Sequence, residues 1–240
     1  MDFHLKVEIN NLEIKVNAKA RTEPLKRLKV GVLVSGRGSN LQALLDACAE
    51  SDFPAEIALV ISNIPDVYAL ERAARAGVPT QVIRHKDFSS REAFDTALDE
   101  ALRAAGIELV CLAGFMRLLT PGFTESWRDR LINIHPSLLP SFRGLHTHER
   151  ALEAGVRLHG CTVHVVRPEL DEGPIIVQGA VPVLPGDTAD RLAARVLEVE
   201  HRIYPLALRL LAEGRAVVDG SVVRLVDVEP VDKSLINPRG

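Results

Sequence analysis

From residue 29 onward the sequence alternates short apolar runs with amphipathic segments, and this alternation restricts the possible folds more than any other feature. The apolar runs have the length and composition of strands, the first of them a buried one, and they occupy residues 29–35, 56–62, 80–84, 108–114 and 131–135. Segments between the runs carry apolar residues at helical spacing. Parallel strands covered by helices on both faces produce this pattern. The sequence therefore predicts an α/β fold in which a doubly wound, mostly parallel sheet forms a single domain.

The predicted helices have sequence signals at their ends. They occupy residues 41–50, 67–77 and 93–106, and a further helix begins at Pro121. Gly77 and Gly106 close two of them, because glycine tolerates the left-handed backbone that follows a helix. Ser89 and Glu92 have the spacing of a capping box, in which each side chain bonds a free backbone N–H of the other residue.

The pattern changes after Pro136. Beyond it we expect two antiparallel strands that extend the sheet, one long helix and one hairpin, at residues 161–166, 174–183, 187–212 and 216–226. The segment 167–173 joins the two strands, and the hairpin turns at Asp219 and Gly220.

The two ends of the chain are expected to lie outside this domain. Residues 3–16 alternate apolar and polar residues around Asn10 and Asn11, which predicts a short hairpin, and residues 17–27 have the polar composition of a linker. An isolated hairpin is marginal in water, so the alternatives are that it packs on something, pairs with another chain or is disordered. The expected organisation is an N-terminal extension, one domain and a C-terminal tail, over residues 1–28, 29–226 and 227–240.

The charge balance excludes several classes of partner. Lys and Arg number 29 against 32 Asp and Glu, a formal net charge of −3, so no global positive field attracts nucleic acid or an anionic membrane. No apolar run approaches the roughly 20 residues of a membrane-spanning helix, and the first residues lack a secretory signal. Three scattered cysteines, Cys48, Cys111 and Cys161, fit a reducing compartment. We therefore expect a cytoplasmic protein that acts on small molecules.

The loop after the first strand has the composition of a phosphate-binding turn. In an open α/β sheet, ligands bind at the carboxyl ends of the strands, and residues 35–40 follow the first strand with the sequence SGRGSN. Glycines let the backbone approach an anion, and the helix N-terminus presents free N–H groups. Leu41 and Asn63 do not fit a dinucleotide fingerprint, and no Walker A sequence is present. The loop favours a sugar phosphate, although glycine-rich turns also occur without a ligand.

Asn133 and His135 stand at the end of the fifth predicted strand. Residues two apart on a strand point to the same face, so the two side chains are expected side by side. An amide donor can stabilise a developing oxyanion while an imidazole moves a proton, which suits chemistry at a carbonyl carbon. The alternative is a structural histidine next to a turn-forming asparagine. Asp171 would orient and charge His135 if the two lie close together; otherwise its segment is a solvated turn.

The pair His146 and His148 raises the question of a metal site. Neither a further ligand set at zinc spacing nor an HExxH sequence accompanies the pair, and the cysteines are scattered. We therefore expect no metal, and we interpret the glycine-bounded segment GLHTH as a mobile lid over the site.

Several of these segments together resemble the phosphoribosylglycinamide formyltransferases. The matching motifs lie between Lys29 and Val226, and in order they include VSGRGSNLQAL, SREAFD, LAGFMRLL, NIHPSLLP, GLHTH, HGCTVHVV, ELDEGPIIVQ and EHRIYPL. The wider formyltransferase superfamily shares NIHPSLLP, whereas the combination of GSNLQAL, GFMRLL and EHRIYPL favours the glycinamide branch. The resemblance implies a formyltransferase fold. It also implies transfer of a formyl group from 10-formyltetrahydrofolate to the amine of glycinamide ribonucleotide, in purine biosynthesis.

The resemblance further implies roles for individual residues. Asn133, His135 and Asp171 would form the catalytic set, with the histidine as general acid, the asparagine as oxyanion donor and the aspartate orienting and charging the histidine. The residues implied on the ribonucleotide side are Gly38, Ser39, Asn40 and Glu200. The residues implied on the folate side are Arg91, Met116, Arg117, Leu118, Leu119, Asn133, Arg167, Pro168, Glu169, Leu170 and Asp171. No metal or redox cofactor is needed, and the expected partners are small molecules, with the chain a monomer or a homodimer.

Three other functions are alternatives at this point. A formyltetrahydrofolate hydrolase shares the catalytic residues, but that family carries an N-terminal regulatory ACT domain, for which the leader here is too short. A methionyl-tRNA formyltransferase shares HPSLLP and carries a C-terminal RNA-binding domain, whereas no basic extension follows the long helix here. A non-catalytic folate or sugar-phosphate binding protein would not need Asn133, His135 and Asp171. The sequence therefore favours the transferase.

Overall fold

The computed structural model describes residues 27–229 and 235–238, and a seven-stranded sheet forms its centre. The strands of the sheet are β1 (Leu28–Val34), β2 (Ala55–Ser62), β3 (Thr80–Val82), β4 (Leu109–Leu112), β5 (Leu131–His135), β6 (Leu158–Val165) and β7 (Ile175–Pro182). The helices are α1 (Ser39–Ala49), α2 (Tyr68–Arg75), α3 (Arg91–Ala104), α4 (Pro121–Ser126), α5 (Thr147–Glu153) and α6 (Ala189–Ala212). A short 3-10 helix (His85–Asp87) follows β3, and a separate hairpin consists of β8 (Ala216–Asp219) and β9 (Val222–Leu225). The hairpin predicted over residues 3–16 lies outside the described residues.

The order of the strands across the sheet is β3-β2-β1-β4-β5-β6-β7. The strands from β3 to β5 are parallel, whereas β6 is antiparallel to β5 and β7 is antiparallel to β6. This arrangement confirms the predicted doubly wound, mostly parallel sheet with an antiparallel extension. Because β1 to β5 are parallel, their carboxyl ends lie at one edge of the sheet.

Two clusters of buried apolar side chains, one on each face of the sheet, hold the helices in place. β1 contributes to both clusters, with Val32 and Val34 in one and Leu33 in the other, as alternation along a strand requires. Helices α1 and α6 pack on the first cluster, and α3 and α4 pack on the second. A strand buried on both faces is apolar throughout, which explains the continuous apolar runs in the sequence.

Most helix and turn boundaries agree with the sequence signals. Gly77 and Gly106 follow α2 and α3 with φ of 71° and 66°, which confirms both as helix-ending residues. The longest helix, α6, has 24 residues and begins after its N-cap, Thr188, close to the predicted start. In the hairpin, Asp219 pairs with Val222, so the two turn residues are Gly220 and Ser221. The turn therefore lies one residue after the predicted position, Asp219 and Gly220. In the described part of the chain, no helix is both long and apolar enough to cross a membrane.

Two local features differ from the expectations. The predicted capping box is wrong, because the N-cap of α3 is Ser90 rather than Ser89, and its hydroxyl accepts a hydrogen bond from the N–H of Ala93. Glu92 therefore lies one position too early in the helix to bond back to the cap. Helix α5 was not predicted, since it has seven residues with only Thr147 and Ala151 buried and so shows no apolar stripe.

Candidate active site

Asn133 lies on β5 directly opposite His164 on β6. Nδ2 of Asn133 is 3.3 Å from Nε2 of His164, and Nδ1 of His164 is 3.1 Å from the carbonyl oxygen of Val165. Because a carbonyl oxygen only accepts, the proton of His164 is on Nδ1, and Nε2 accepts from the amide. Burial lowers the pKa of His164 from 6.5 to about 4, so the ring is neutral at neutral pH. The neighbouring strand therefore determines which way the amide of Asn133 points.

His135, at the end of β5, contacts Asp171 in the segment between β6 and β7. Its Nδ1 is 3.4 Å from Oδ2 of Asp171, and its Nε2 is 3.0 Å from the carbonyl oxygen of Phe142. The side chains of His135 and Asp171 are only 7% and 8% exposed. Both ring nitrogens face oxygen acceptors, so only the protonated ring donates to both. The position of Asp171, which the sequence did not determine, is thus next to the histidine.

The backbone conformation of the segment between β6 and β7 places Asp171 next to the end of β5. Asp171 has a left-handed backbone with φ of 54°, and its Oδ2 accepts a hydrogen bond of 2.9 Å from the N–H of Gly144. Gly173 lets the segment turn tightly against β6, because a Cβ there would lie 1.6 Å from the carbonyl oxygen of Val165. The other carboxylate oxygen, Oδ1, is 3.8 Å from Nε2 of His164. One carboxylate therefore lies beside two histidines.

His164 was not among the predicted site residues. The sequence does contain a signal, since a histidine interrupts the otherwise apolar strand segment CTVHVV. Buried polar side chains need hydrogen-bond partners, and that requirement could have pointed to a polar site. Naming the partner required the register between β5 and β6, which places His164 opposite Asn133.

The loop predicted to bind phosphate needs its second glycine for a steric reason. Gly38 is the N-cap of α1 and has a left-handed backbone, with φ of 70° and ψ of 36°. A Cβ at Gly38 would lie 2.6 Å from Cβ of Ala69 on α2. No side chain caps α1, and its first turn contains no acidic residue, so the N–H groups at Ser39 and Asn40 are not taken by a cap. This arrangement can receive the oxygens of a phosphate.

Asn40 connects this loop to α6. Its Nδ2 donates a hydrogen bond of 2.7 Å to Oε2 of Glu200. Glu200 is only 8% exposed, and burial raises the pKa of its carboxyl group, while the hydrogen bond from Asn40 opposes that rise. Oδ1 of Asn40 is buried and has no partner among the described residues. The structure thus brings together two residues from distant motifs and leaves them able to bond a polar ligand.

The segment between β4 and α4 presents apolar side chains to solvent. Met116 and Leu118 are 69% and 65% exposed. Arg91, the first residue of α3, donates from one guanidinium nitrogen to the carbonyl oxygens of Leu118 and Leu119, at 2.8 and 3.3 Å. Nε of Arg117 is buried without a partner in the part of the chain that the structure describes. A fixed backbone with exposed apolar side chains can form one wall of a site for a flat, largely apolar ligand.

The remaining predicted residues belong to the segment that ends in Asp171. Arg167 pairs with Asp129, next to the amino end of β5, and its side chain is 12% exposed. The exposed residues of this segment include Pro168, Glu169 and Leu170. Arg167 therefore already has an anionic partner, and Asp171 is the residue of this segment that contacts His135.

A histidine cluster and a surface groove complete the description, and His148 and His159 of the cluster lie close enough to His135 to interact with it electrostatically. His146 is exposed and lies 3.7 Å from Glu149, and the ring of His148 packs edge-on against His159. Among residues 27–229 and 235–238, no group of three or more His, Cys, Asp or Glu is arranged to hold a metal ion. A surface groove of about 710 Å³ between β3 and α3 is lined by none of the predicted site residues.

Most of this chain is similar in sequence and structure to known proteins. The family model of the formyl transferases matches residues 28–208. The phosphoribosylglycinamide formyltransferase of Escherichia coli (strain K12) is 48% identical over 188 residues, which are 78% of this chain and 89% of that protein. The crystal structure of glycinamide ribonucleotide transformylase 1 from Symbiobacterium toebii has 53% sequence identity and a TM-score of 0.82, and the match covers 84% of this chain and 95% of that one.

Much longer proteins also contain a matching region. The trifunctional purine biosynthetic protein adenosine-3 of Drosophila melanogaster is 49% identical over 218 residues, which are 90% of this chain but 16% of that protein. The chain therefore spans about a sixth of the length of this relative, and the similarity concerns that region alone.

Proposed function

The chain belongs to the formyl transferase family, and on that premise we propose that it transfers the formyl group of 10-formyltetrahydrofolate to the amino group of glycinamide ribonucleotide. The observation that carries the proposal is the contact of Asp171 with His135, two residues from Asn133 at the carboxyl end of β5. The purine biosynthetic relatives support a role in purine synthesis. Both substrates would bind within the single domain expected over residues 29–226.

The reaction requires charge stabilisation and proton transfer. The amine nitrogen attacks the formyl carbon, the formyl oxygen becomes negatively charged, and the bond from the carbon to the folate nitrogen then breaks. The attacking nitrogen loses one proton and the departing nitrogen gains one, so no net proton is consumed. A hydrogen-bond donor near the oxygen and a proton-carrying group near the nitrogens lower the barrier.

Asn133 is the proposed donor to the charged oxygen. One N–H of its amide bonds to His164, and an amide has a second N–H for a ligand. Neutral His164 is a suitable anchor, because the opposite orientation of the amide would place two acceptors, Oδ1 and Nε2, against each other. The amide is therefore oriented as a donor before any substrate binds, which is the arrangement that favours transition-state stabilisation.

His135 is the proposed general acid, and Asp171 the group that holds its charge and orientation. A buried carboxylate 3.4 Å from Nδ1 stabilises the protonated ring. Nε2 donates to the carbonyl oxygen of Phe142, and this bond must break before that nitrogen can deliver a proton to a substrate. Phe142 lies outside the helices and strands, so its carbonyl can move without disrupting either.

The two substrates would occupy neighbouring sites, the ribonucleotide at the carboxyl edge of the sheet and the folate between that edge and the segment 167–171, whose Arg167 lies next to the amino end of β5. For the ribonucleotide, the N–H groups at Ser39 and Asn40 would bind the phosphate, with Gly38 allowing its close approach, and Glu200 would bind a polar group of the substrate. For the folate, the proposed contacts are Arg91, residues 116–119 and the segment 167–171, together with Asn133. The exposed Met116 and Leu118 fit the apolar ring of such a molecule.

The function can be tested with a two-substrate assay on the full chain. Purified protein is incubated with 10-formyltetrahydrofolate, with and without glycinamide ribonucleotide, and the products are measured by mass spectrometry. We expect equal amounts of tetrahydrofolate and formylated ribonucleotide, and neither when the ribonucleotide is omitted. Formate release without the ribonucleotide would indicate a hydrolase, and binding without turnover would indicate a non-catalytic binding protein. Either result would overturn the proposal.

A further inference from the structure

A line of hydrogen bonds crosses the carboxyl ends of four neighbouring parallel strands. The strands β3, β2, β1 and β4 are adjacent in the sheet, and the residues that follow them and form the line are His85, Asn63, Ser35 and Met116. Nδ2 of Asn63 is 3.1 Å from Nδ1 of His85, and Oδ1 of Asn63 is 2.6 Å from Oγ of Ser35. The N–H of Met116 donates to the same Oγ at 2.8 Å. The line therefore ends at the first residue of the segment proposed to contact the folate.

The hydroxyl of Ser35 has one proton, and its partners determine where that proton points. Because the hydroxyl oxygen accepts from the N–H of Met116, its proton is donated to Oδ1 of Asn63. The amide nitrogen of Asn63 is then turned toward Nδ1 of His85, which also lies 3.2 Å from the backbone carbonyl oxygen of Asn63, so Nδ1 either accepts from the amide or donates to that carbonyl. Ser35 and Asn63 are only 7% and 2% exposed, so removing either side chain leaves a buried polar group without its partner.

Residues 116–119 depend on such bonds, because they belong to neither a helix nor a strand. At the far end of the segment, Arg91 bonds the carbonyl oxygen of Leu118. At the near end, the bond between Ser35 and the N–H of Met116 fixes the backbone after β4. Without it, this end could adopt other shapes, and a ligand would have to order it at a cost in entropy.

We propose that Ser35 and Asn63 are positioning residues for the folate donor, which hold residues 116–119 in the shape that receives it without touching either substrate. This inference rests on the function proposed above. The sequence alone does not display this role, because the contact of Asn63 with Ser35 depends on β1 and β2 being neighbours. A role in shaping a binding wall predicts an effect on affinity for one substrate, with little effect on the chemical step.

Ser62 provides a matched control for a purely structural role. It lies at the carboxyl end of β2, is fully buried, and donates from its hydroxyl to the carbonyl oxygen of Ile64 at 2.6 Å. Its bonds are thus local, whereas those of Ser35 reach the segment after β4. Ser62→Ala and Ser35→Ala both remove one buried hydroxyl, so their comparison separates general destabilisation from loss of the positioning bond.

The test compares these two variants in the full chain. Ser35→Ala should raise KM for 10-formyltetrahydrofolate about three- to tenfold, the change that one hydrogen bond of ordinary net strength supplies. Its kcat and its KM for the ribonucleotide should stay within about twofold, and Ser62→Ala should change none of these constants. Ser35→Thr keeps the hydroxyl and should restore most of the affinity. The affinity for tetrahydrofolate alone, measured by calorimetry, should fall by the same factor in Ser35→Ala.

Asn63→Ala tests the second half of the pair. It should raise KM for the donor by a similar factor, and the double variant should be no worse than either single variant, because both remove the same link. If Ser35→Ala does not fold, Asn63→Ala is compared with Ser62→Ala instead. If Ser35→Ala, Asn63→Ala and Ser62→Ala all have the same affinity for 10-formyltetrahydrofolate, the positioning role is overturned while the proposed function stands. If the wild-type protein binds no tetrahydrofolate, the proposed function and this inference both fail.

Discussion

Replacing Gly38 with alanine tests how tightly the loop after β1 packs against α2. The new Cβ would lie 2.6 Å from Cβ and 2.9 Å from Cα of Ala69, distances at which the backbone of α2 must move. The left-handed backbone at Gly38 adds a penalty of about 1 to 2 kcal/mol for a residue with a Cβ. Overpacking typically costs about 1 to 3 kcal/mol. The expected loss in the free energy of unfolding is therefore about 2 to 5 kcal/mol.

Gly77→Ala is the matched control for this substitution. Gly77 has nearly the same backbone, with φ of 71° against 70° for Gly38, but nothing lies within 4 Å of its Cβ position. Gly77→Ala should lower the free energy of unfolding by the backbone penalty alone, about 1 to 2 kcal/mol. Urea unfolding of both variants, with unchanged m-values, gives the two free energies, and their difference isolates the contact with Ala69. Equal losses would refute the conclusion that close packing requires glycine at position 38.

Gly38→Ala should also weaken binding of the ribonucleotide. The N–H of Ala69 bonds the carbonyl oxygen of Gly36 at 3.1 Å, so a shift of α2 also shifts the loop that precedes Ser39. Steady-state kinetics should show a higher KM for the ribonucleotide in Gly38→Ala, with KM for the donor within about twofold and no change in Gly77→Ala. An equal rise in both KM values would contradict a local effect on the phosphate loop.

Three further substitutions test the proposed catalytic residues Asn133 and His135 and their neighbour His164. Asn133→Ala should lower kcat by about 10²- to 10³-fold, the effect of losing one oxyanion donor, and a kcat within a few-fold of wild type would contradict that role. His135→Ala should cost at least about 10²- to 10⁴-fold in kcat, and smaller losses in the same assay would argue against an acid–base role. Because burial lowers the pKa of His164 from 6.5 to about 4, the unfolded chain binds a proton that the folded chain does not. The free energy of unfolding should therefore fall by about 3 kcal/mol as the pH drops from above 6.5 to below about 4. His164→Gln should remove that part of the pH dependence in urea unfolding, and an unchanged slope would show that the shift is absent.

The α/β fold could be predicted from the sequence because its signals are local. Strands buried on both faces appear as continuous apolar runs, and glycines such as Gly77 and Gly106 mark helix ends through their own backbone preference. Where the signal was weak or ambiguous, prediction failed. The capping-box spacing assigned the N-cap of α3 to Ser89, whereas the neighbouring Ser90 forms the cap. The seven residues of α5 bury too few side chains to produce a pattern.

The site was less accessible to sequence reasoning, because its contacts span the chain. Asn133 and His135 share a strand, so their common orientation follows from the two-residue repeat. Asp171 reaches His135 through a left-handed residue and a tight turn at Gly173, and no short-range pattern specifies that path. Family resemblance supplied Asp171 where residue patterns alone did not. The contact of His164 with Asn133 depends on the register of two antiparallel strands, which the sequence does not display.

The hydrogen bond between Asn40 and Glu200 joins residues that the ribosome adds 160 positions apart. Helix α1 is synthesised early, whereas α6 emerges only after all seven strands of the sheet. During translation the loop at Asn40 therefore lacks the carboxylate that accepts its hydrogen bond until α6 has been made. A chain that stops before α6 would lack Glu200, the residue proposed to bind a polar group of the ribonucleotide. Under the proposed function, substrate binding is thus conditional on synthesis of the last long helix.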